Sequence, residues 1–219
     1  MHKLTRPDEA PDCLSRYRHG RNQWDEVSSA EKSEIWEKLD KMQQGRCAYC
    51  ENALSRSGEH YDAHIEHFRQ RGRYPQGIFE WTNLFGSCNR KDSCGKHKDE
   101  SGVYPHEDLI KPDVEDPEHF FLFVVDGSIA IRQGLSAVEQ HRASETLWIL
   151  NLDAEHGALR QMRSSVVKGY IETAEYLAAM YAAFPEDEDE WLELLQQELA
   201  AVEHLPFVTA IKHILKSES

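Results

Sequence analysis

Residues 47–50 read Cys-Ala-Tyr-Cys, and residues 83–98 read Asn-Leu-Phe-Gly-Ser-Cys-Asn-Arg-Lys-Asp-Ser-Cys-Gly-Lys-His-Lys. The first segment is a Cys-x-x-Cys knuckle, the spacing with which two thiolates grip one zinc ion. A lone Cys-x-x-Cys could equally be a redox pair. Here Cys88 and Cys94 supply a second pair about forty residues on, with five residues between its members in place of the usual two. Four thiolates in two pairs complete a closed tetrahedral site, so Cys47, Cys50, Cys88 and Cys94 read as ligands of a structural Zn²⁺. Cys13 stands apart as a free structural thiol.

The chain around this cluster has 219 residues, 40% hydrophobic and 29% charged, enough to build a core and unlike a disordered tail. Its net charge of −14 argues against a generic nucleic-acid-coating protein, which is normally basic. No stretch approaches the roughly 20 apolar residues of a membrane span, and the N-terminus lacks an apolar signal core. The expectation is a cytoplasmic protein without membrane attachment.

Working outward, four segments emerge in an α+β chain. Residues 1–44 form an irregular Pro-containing arm and then a helix, starting at Ser28 with Glu31 at capping-box spacing. Ile35, Trp36, Leu39 and Met42 give that helix one apolar face. Residues 45–100 hold short strands and turns and close with a short helix near 93–100. So small a segment needs a bound metal as a staple. Residues 101–134 make a loop and a β-hairpin, with strands at 121–126 and 129–132 about Asp126-Gly127. Residues 135–219 are helical, with helices expected at 146–152, 159–184, 190–202 and 206–215, and read as a partner-docking region. The acidic run at 186–190 suits a solvated helix start.

Charge is unevenly spread. Between His64 and Lys98 there are seven Lys and Arg against three acids. A basic site on an acidic body fits an anionic substrate held locally. Arg69, Arg71 and Arg73 alternate at i, i+2 and i+4. An extended segment would line them along one face suited to neighbouring phosphates, and Lys96 and Lys98 add to that patch. Tyr49, Tyr74 and Trp81 read as packing residues before base-stacking ones.

Between the knuckles lies His64-Ile65-Glu66-His67-Phe68. A carboxylate is a hard ligand for a divalent cation, and a neutral imidazole can take a proton from water near pH 7. Neighbours in a strand point to opposite faces. Both therefore serve one site only if the chain bends at His67 or the substrate is gripped from two sides. His60 and His64 read as polar filler.

The order Cys47-x-x-Cys50, Glu66-His67-Phe68, Trp81-x-Asn83-Leu84-Phe85-x-x-Cys88 and Cys94-Gly95-Lys96-His97-Lys98 resembles the zinc-knuckle HNH endonucleases. Lys3-Leu4-Thr5-Arg6-Pro7, Arg73-Tyr74-Pro75, Asp108-Leu109-Ile110-Lys111-Pro112, Glu118-His119-Phe120-Phe121 and 146–152 resemble one branch of that family. That branch is the PtuB-like HNH subunit of Septu-type and retron-associated anti-phage systems.

The resemblance implies a zinc-braced ββα-metal (HNH) nuclease core inserted between the N-terminal helix and the helical C-terminal region. It implies His67 as general base, Glu66 as ligand of a catalytic Mg²⁺ or Mn²⁺, and Asn83 as the residue pinning the loop that aims His67. The last ligand is His97, one helical turn after Cys94, or Asn89, directly after Cys88. The implied function is metal-dependent hydrolysis of nucleic acid, DNA before RNA, in a defence complex with a PtuA-like ATPase subunit. The alternative from a different class is a non-catalytic zinc-knuckle nucleic-acid-binding or adaptor protein.

Overall fold

The computed structural model describes residues 1–56, 62–183 and 188–216. His60, Phe184 and the acidic side chains of 186–190 lie outside the described residues. Within them the chain is α+β, with seven α-helices and two separate two-stranded antiparallel sheets.

Helix α1 (Ser29–Gln43) begins at Ser28, whose hydroxyl accepts from the Glu31 N–H while the Glu31 carboxylate accepts from the Ser28 N–H. It ends at Gln44 and Gly45, both left-handed. Ile35, Trp36, Leu39 and Met42 are buried on one face, as their spacing predicts.

That face packs on strand β2 (Leu84–Ser87), which pairs with β1 (His64–His67); His64 lies opposite Ser87 and Glu66 opposite Phe85. Gly86 of β2 is clamped by the Gln43 amide, which donates to the Gly86 carbonyl (2.9 Å) and accepts from its N–H (2.8 Å). Helix α2 (Cys94–Glu100) begins on the second member of the second cysteine pair, close to its expected place.

The N-terminal arm is folded onto this unit. Leu4 N–H donates to the Pro112 carbonyl, and Arg6 pairs with Asp113 at 2.6 Å. The Arg6 guanidinium also lies over Trp81 and Phe85, 4.7 and 4.5 Å from their ring centres. Two segments about a hundred residues apart thus close over β2. The Met1 amine is buried in an ion pair with Glu51 Oε1 at 2.5 Å.

Strands β3 (Phe121–Phe123) and β4 (Ile129–Ile131) form the expected hairpin, with Gly127 left-handed in the turn. Helix α3 (Ala137–Ile149) starts nine residues before the expected 146. A second capping box, Ser136 with Glu139, sets that start. The stretch expected as one helix over 159–184 is two, α4 (Ala158–Lys168) and α5 (Ile171–Ala183), interrupted at Gly169-Tyr170. Helices α6 (Glu188–Val202) and α7 (Val208–Leu215) follow. Among the described residues, no helix is long and apolar enough to cross a membrane.

Candidate metal centre and adjoining cleft

The first knuckle is a tight turn. Cys47 N–H donates to the Asn52 carbonyl, Glu51 N–H donates to the Cys47 carbonyl, and Glu51 is left-handed. Ala48 N–H donates to the Gly86 carbonyl and docks the knuckle on β2. The second pair spans its five intervening residues because Cys94 is also left-handed, held by its N–H donating to the Leu150 carbonyl at 2.8 Å. A non-glycine residue in that conformation costs about 1–3 kcal/mol unless its surroundings impose it.

The four sulfurs are buried and lie within 4.8 Å of one another, and none is in a disulfide. Cys50 Sγ and Cys88 Sγ are 4.0 Å apart. Zinc–sulfur bonds of about 2.3 Å in a tetrahedron place sulfurs about 3.8 Å apart, so the four cysteines fit and could hold one zinc ion. Burial opposes ionisation of Cys47, yet Cys50, Cys88 and Cys94 hold it well below the ordinary thiol range. Cys47 and Cys88 push Cys50 up, and burial pushes Cys94 up. A divalent ion bound by the four sulfurs would favour their thiolate forms.

On β1, Glu66 and His67 point to opposite sides of the hairpin. Glu66 faces α2, with Oε1 2.7 Å from Lys98 Nζ and Oε2 3.1 Å from His64 Nε2. Burial would raise the Glu66 carboxyl, but Lys98 and His64 outweigh it and hold it below its ordinary value. Lys98 has no exposed surface, and its ammonium also reaches the His67 carbonyl at 3.0 Å and Asp99 at 2.8 Å. Lys98 is therefore not part of a surface patch for phosphates: a buried carboxylate holds it inside.

His67 lies on the other side, its ring edge-on to Trp24 with centroids 4.5 Å apart. Nε2 is 3.0 Å from the Ile78 carbonyl, which can only accept, so Nε2 carries the hydrogen and Nδ1 the lone pair. Burial lowers its pKa to about 4, leaving the ring neutral. Asn83 is buried, with Oδ1 accepting from Arg69 N–H (2.7 Å) and Nδ2 donating to the Gly77 carbonyl (3.0 Å). It thereby holds the loop whose next carbonyl, that of Ile78, orients His67.

Neither residue offered for the last ligand is directed at Glu66. Asn89 lies beyond the opposite end of the hairpin, with its Nδ2 donating to the Ala63 carbonyl. His97 sits between the helix positions that face Glu66, Gly95 and Lys98, and its Nδ1 meets the Ile149 carbonyl at 2.9 Å. Among the described residues, the four cysteines form the one cluster of three or more His, Cys, Asp or Glu ligand atoms.

The arginines do not line one extended face. Residues 70–74 form a turn, with Arg73 and Tyr74 N–H both donating to the Gln70 carbonyl. Arg69 is paired with Glu80, whereas Arg71 and Arg73 are exposed. A cleft of about 560 Å³ opens between α1 and β1, where Lys32, Arg56, Arg71 and Lys96 stand with His64 and Trp24. Lys32 and Arg56 were not evident from the sequence, because their segment meets β1 only in the fold. Tyr49 and Trp81 are buried packing residues.

No family model matches the chain. Over 82 residues, 37% of its length, the chain is 30% identical to the Septu protein PtuB of Bacillus thuringiensis, and the match spans 29% of that protein.

Proposed function

We propose that this chain is a metal-dependent endonuclease hydrolysing phosphodiester bonds of nucleic acid, as the effector subunit of an anti-phage complex with an ATPase partner. The defence role and the partner rest on the partial similarity to PtuB. The chemistry rests on His67, a neutral imidazole oriented through Nε2 with its lone pair on Nδ1, packed edge-on against Trp24, which lines the basic cleft.

In this reading His67 Nδ1 takes the proton of a water whose oxygen attacks phosphorus. The bond to the departing sugar oxygen breaks. Asn83 and the Ile78 carbonyl hold the ring in register, and Arg71, Arg73 and Lys96 hold flanking phosphates. On the other side of β1 from the His67 ring, Glu66 Oε2 offers a hard oxygen close against Gly95, so the residues fit a divalent cation, and the two serve one substrate gripped from both sides of the strand. When bound, such an ion supplies Lewis-acid neutralisation of charge on the phosphate. The cysteine cluster, loaded with zinc, braces the hairpin against α2. DNA is favoured over RNA as substrate.

A second reading, a zinc-braced adaptor, draws support from the Glu66–Lys98 ion pair, which engages the acid structurally. Incubating the chain and its ATPase partner with a divalent cation and mixed DNA and RNA separates the two. His67→Ala should keep its zinc, its fold and its partner binding and lose cleavage by about 10²-fold or more. Cleavage undiminished in His67→Ala would overturn the base assignment. A wild-type complex that binds nucleic acid and cuts none would favour the adaptor.

A further inference from the structure

The space between β1 and α2 carries a feature that the hydrogen bonds alone do not explain. Gly95 is the second residue of α2, directly after the left-handed Cys94. Its backbone is not left-handed, so conformation does not demand glycine. Room does. A Cβ there would lie 2.5 Å from Glu66 Oε2 and 3.0 Å from His64 Nε2, and these two atoms are themselves 3.1 Å apart. Adjacent donors on an octahedral ion with bonds of about 2.1 Å sit about 3.0 Å apart. Lys98 takes the other carboxylate oxygen, and His64 belongs to the cleft lining with Arg71 and Lys96.

We propose that His64 and Glu66 are the two protein donors of a divalent-cation site, which Gly95 keeps open, and that neither His97 nor Asn89 is a ligand there. An imidazole beside a carboxylate favours a first-row transition ion over Mg²⁺. The site deepens the nuclease reading, resting on it for the role of the ion but not for its binding.

The test is Mn²⁺ titration of the full zinc-loaded chain, following free Mn²⁺ by electron paramagnetic resonance. One Mn²⁺ beyond the zinc is expected, displaced only by a large excess of Mg²⁺. His64→Ala should weaken it at least tenfold with zinc content and melting temperature kept. Gly95→Ala should do the same; if that variant misfolds, His64→Asn serves as the second probe. Wild-type Mn²⁺ affinity in His64→Ala, or loss confined to His97→Gln or Asn89→Ala, would overturn the site. So would a wild-type chain that takes up no Mn²⁺ beyond its zinc. Mn²⁺ uptake through His64 in a complex that cuts no nucleic acid would support the site while removing the nuclease reading. Unchanged affinity in a His64→Ala complex that still cuts would do the reverse.

Discussion

Lys98 Nζ lies 2.7 Å from Glu66 Oε1, and both side chains are buried. The pair joins the one acid of the β1 strand to the last turn of α2, and the same ammonium reaches the His67 carbonyl. Burial opposes the Lys98 charge, but Glu66, Tyr104 and Asp99 outweigh it and raise its pKa. Removing one member leaves the other charged in a desolvated site.

Lys98→Met should therefore cost about 3–5 kcal/mol in urea unfolding, the range for breaking a buried ion pair from one side. The double variant Lys98→Met/Glu66→Gln should recover a large part of that loss. A double variant as unstable as the single one would show that Lys98 acts through the His67 carbonyl and Asp99, not through Glu66.

Gly86 makes a separate prediction about the α1–β2 contact. A Cβ there would lie 2.6 Å from the Trp36 ring and 3.1 Å from Gln43 Nε2. The ring cannot easily move, since the Arg56 guanidinium lies 4.6 Å over it. Gly86→Ala should lower stability by about 1–3 kcal/mol through overpacking, read as a fall in the urea midpoint. A midpoint within error of wild type would show that α1 can shift away from the strand.

What the sequence made legible here was local chemistry. The capping box at Ser28, the Asp126-Gly127 turn and the four cysteines each carry their signal within a few residues or a known spacing. The split of 159–184 was missed because Gly169 inside an apolar helical pattern reads as a tolerated residue. The burial of Arg6 and Lys98 was not legible at all. Charged side chains default to solvent, and their partners Asp113 and Glu66 lie about 107 and 32 positions away in the chain. Gly86 and Gly95 escaped for the same reason, since the atoms that demand glycine come from other elements.

Acid should weaken the fold through its two capping boxes. Hydrogen bonds from the Ser28 hydroxyl and Tyr17, with the Ser28 N–H, hold Glu31 at about 2 instead of its ordinary 4.5. The Ser136 hydroxyl and N–H, with His119, do the same for Glu139. A depressed carboxyl stabilises the folded state fully above the unfolded value near 4.5, and that contribution is lost as pH falls towards 2. Glutamine mimics the protonated acid. The urea midpoints of wild type and Glu31→Gln/Glu139→Gln should differ at pH 7, and most of that gap should close by pH 2.5. A gap that persists undiminished at pH 2.5 would mean the two acids act through packing and not through charge.

Thiol chemistry separates the cysteine cluster from Cys13. Burial, with Glu34 nearby, pushes the Cys13 thiol up to about 11, and it has no exposed surface. The thiolate is the reactive form, so Cys13 should stay unalkylated at pH 8 in the folded chain. The four clustered cysteines, holding zinc, should resist iodoacetamide as well. Elemental analysis should find about one zinc per chain. Chelation should release the zinc, lower the melting temperature and expose four thiols, while the fifth reacts only on full unfolding. Cys47→Ser should give largely insoluble protein, because removing one ligand leaves three buried thiols without their ion. A well-folded preparation with no zinc and five slowly reacting thiols would show that sulfur packing alone holds the knuckles together.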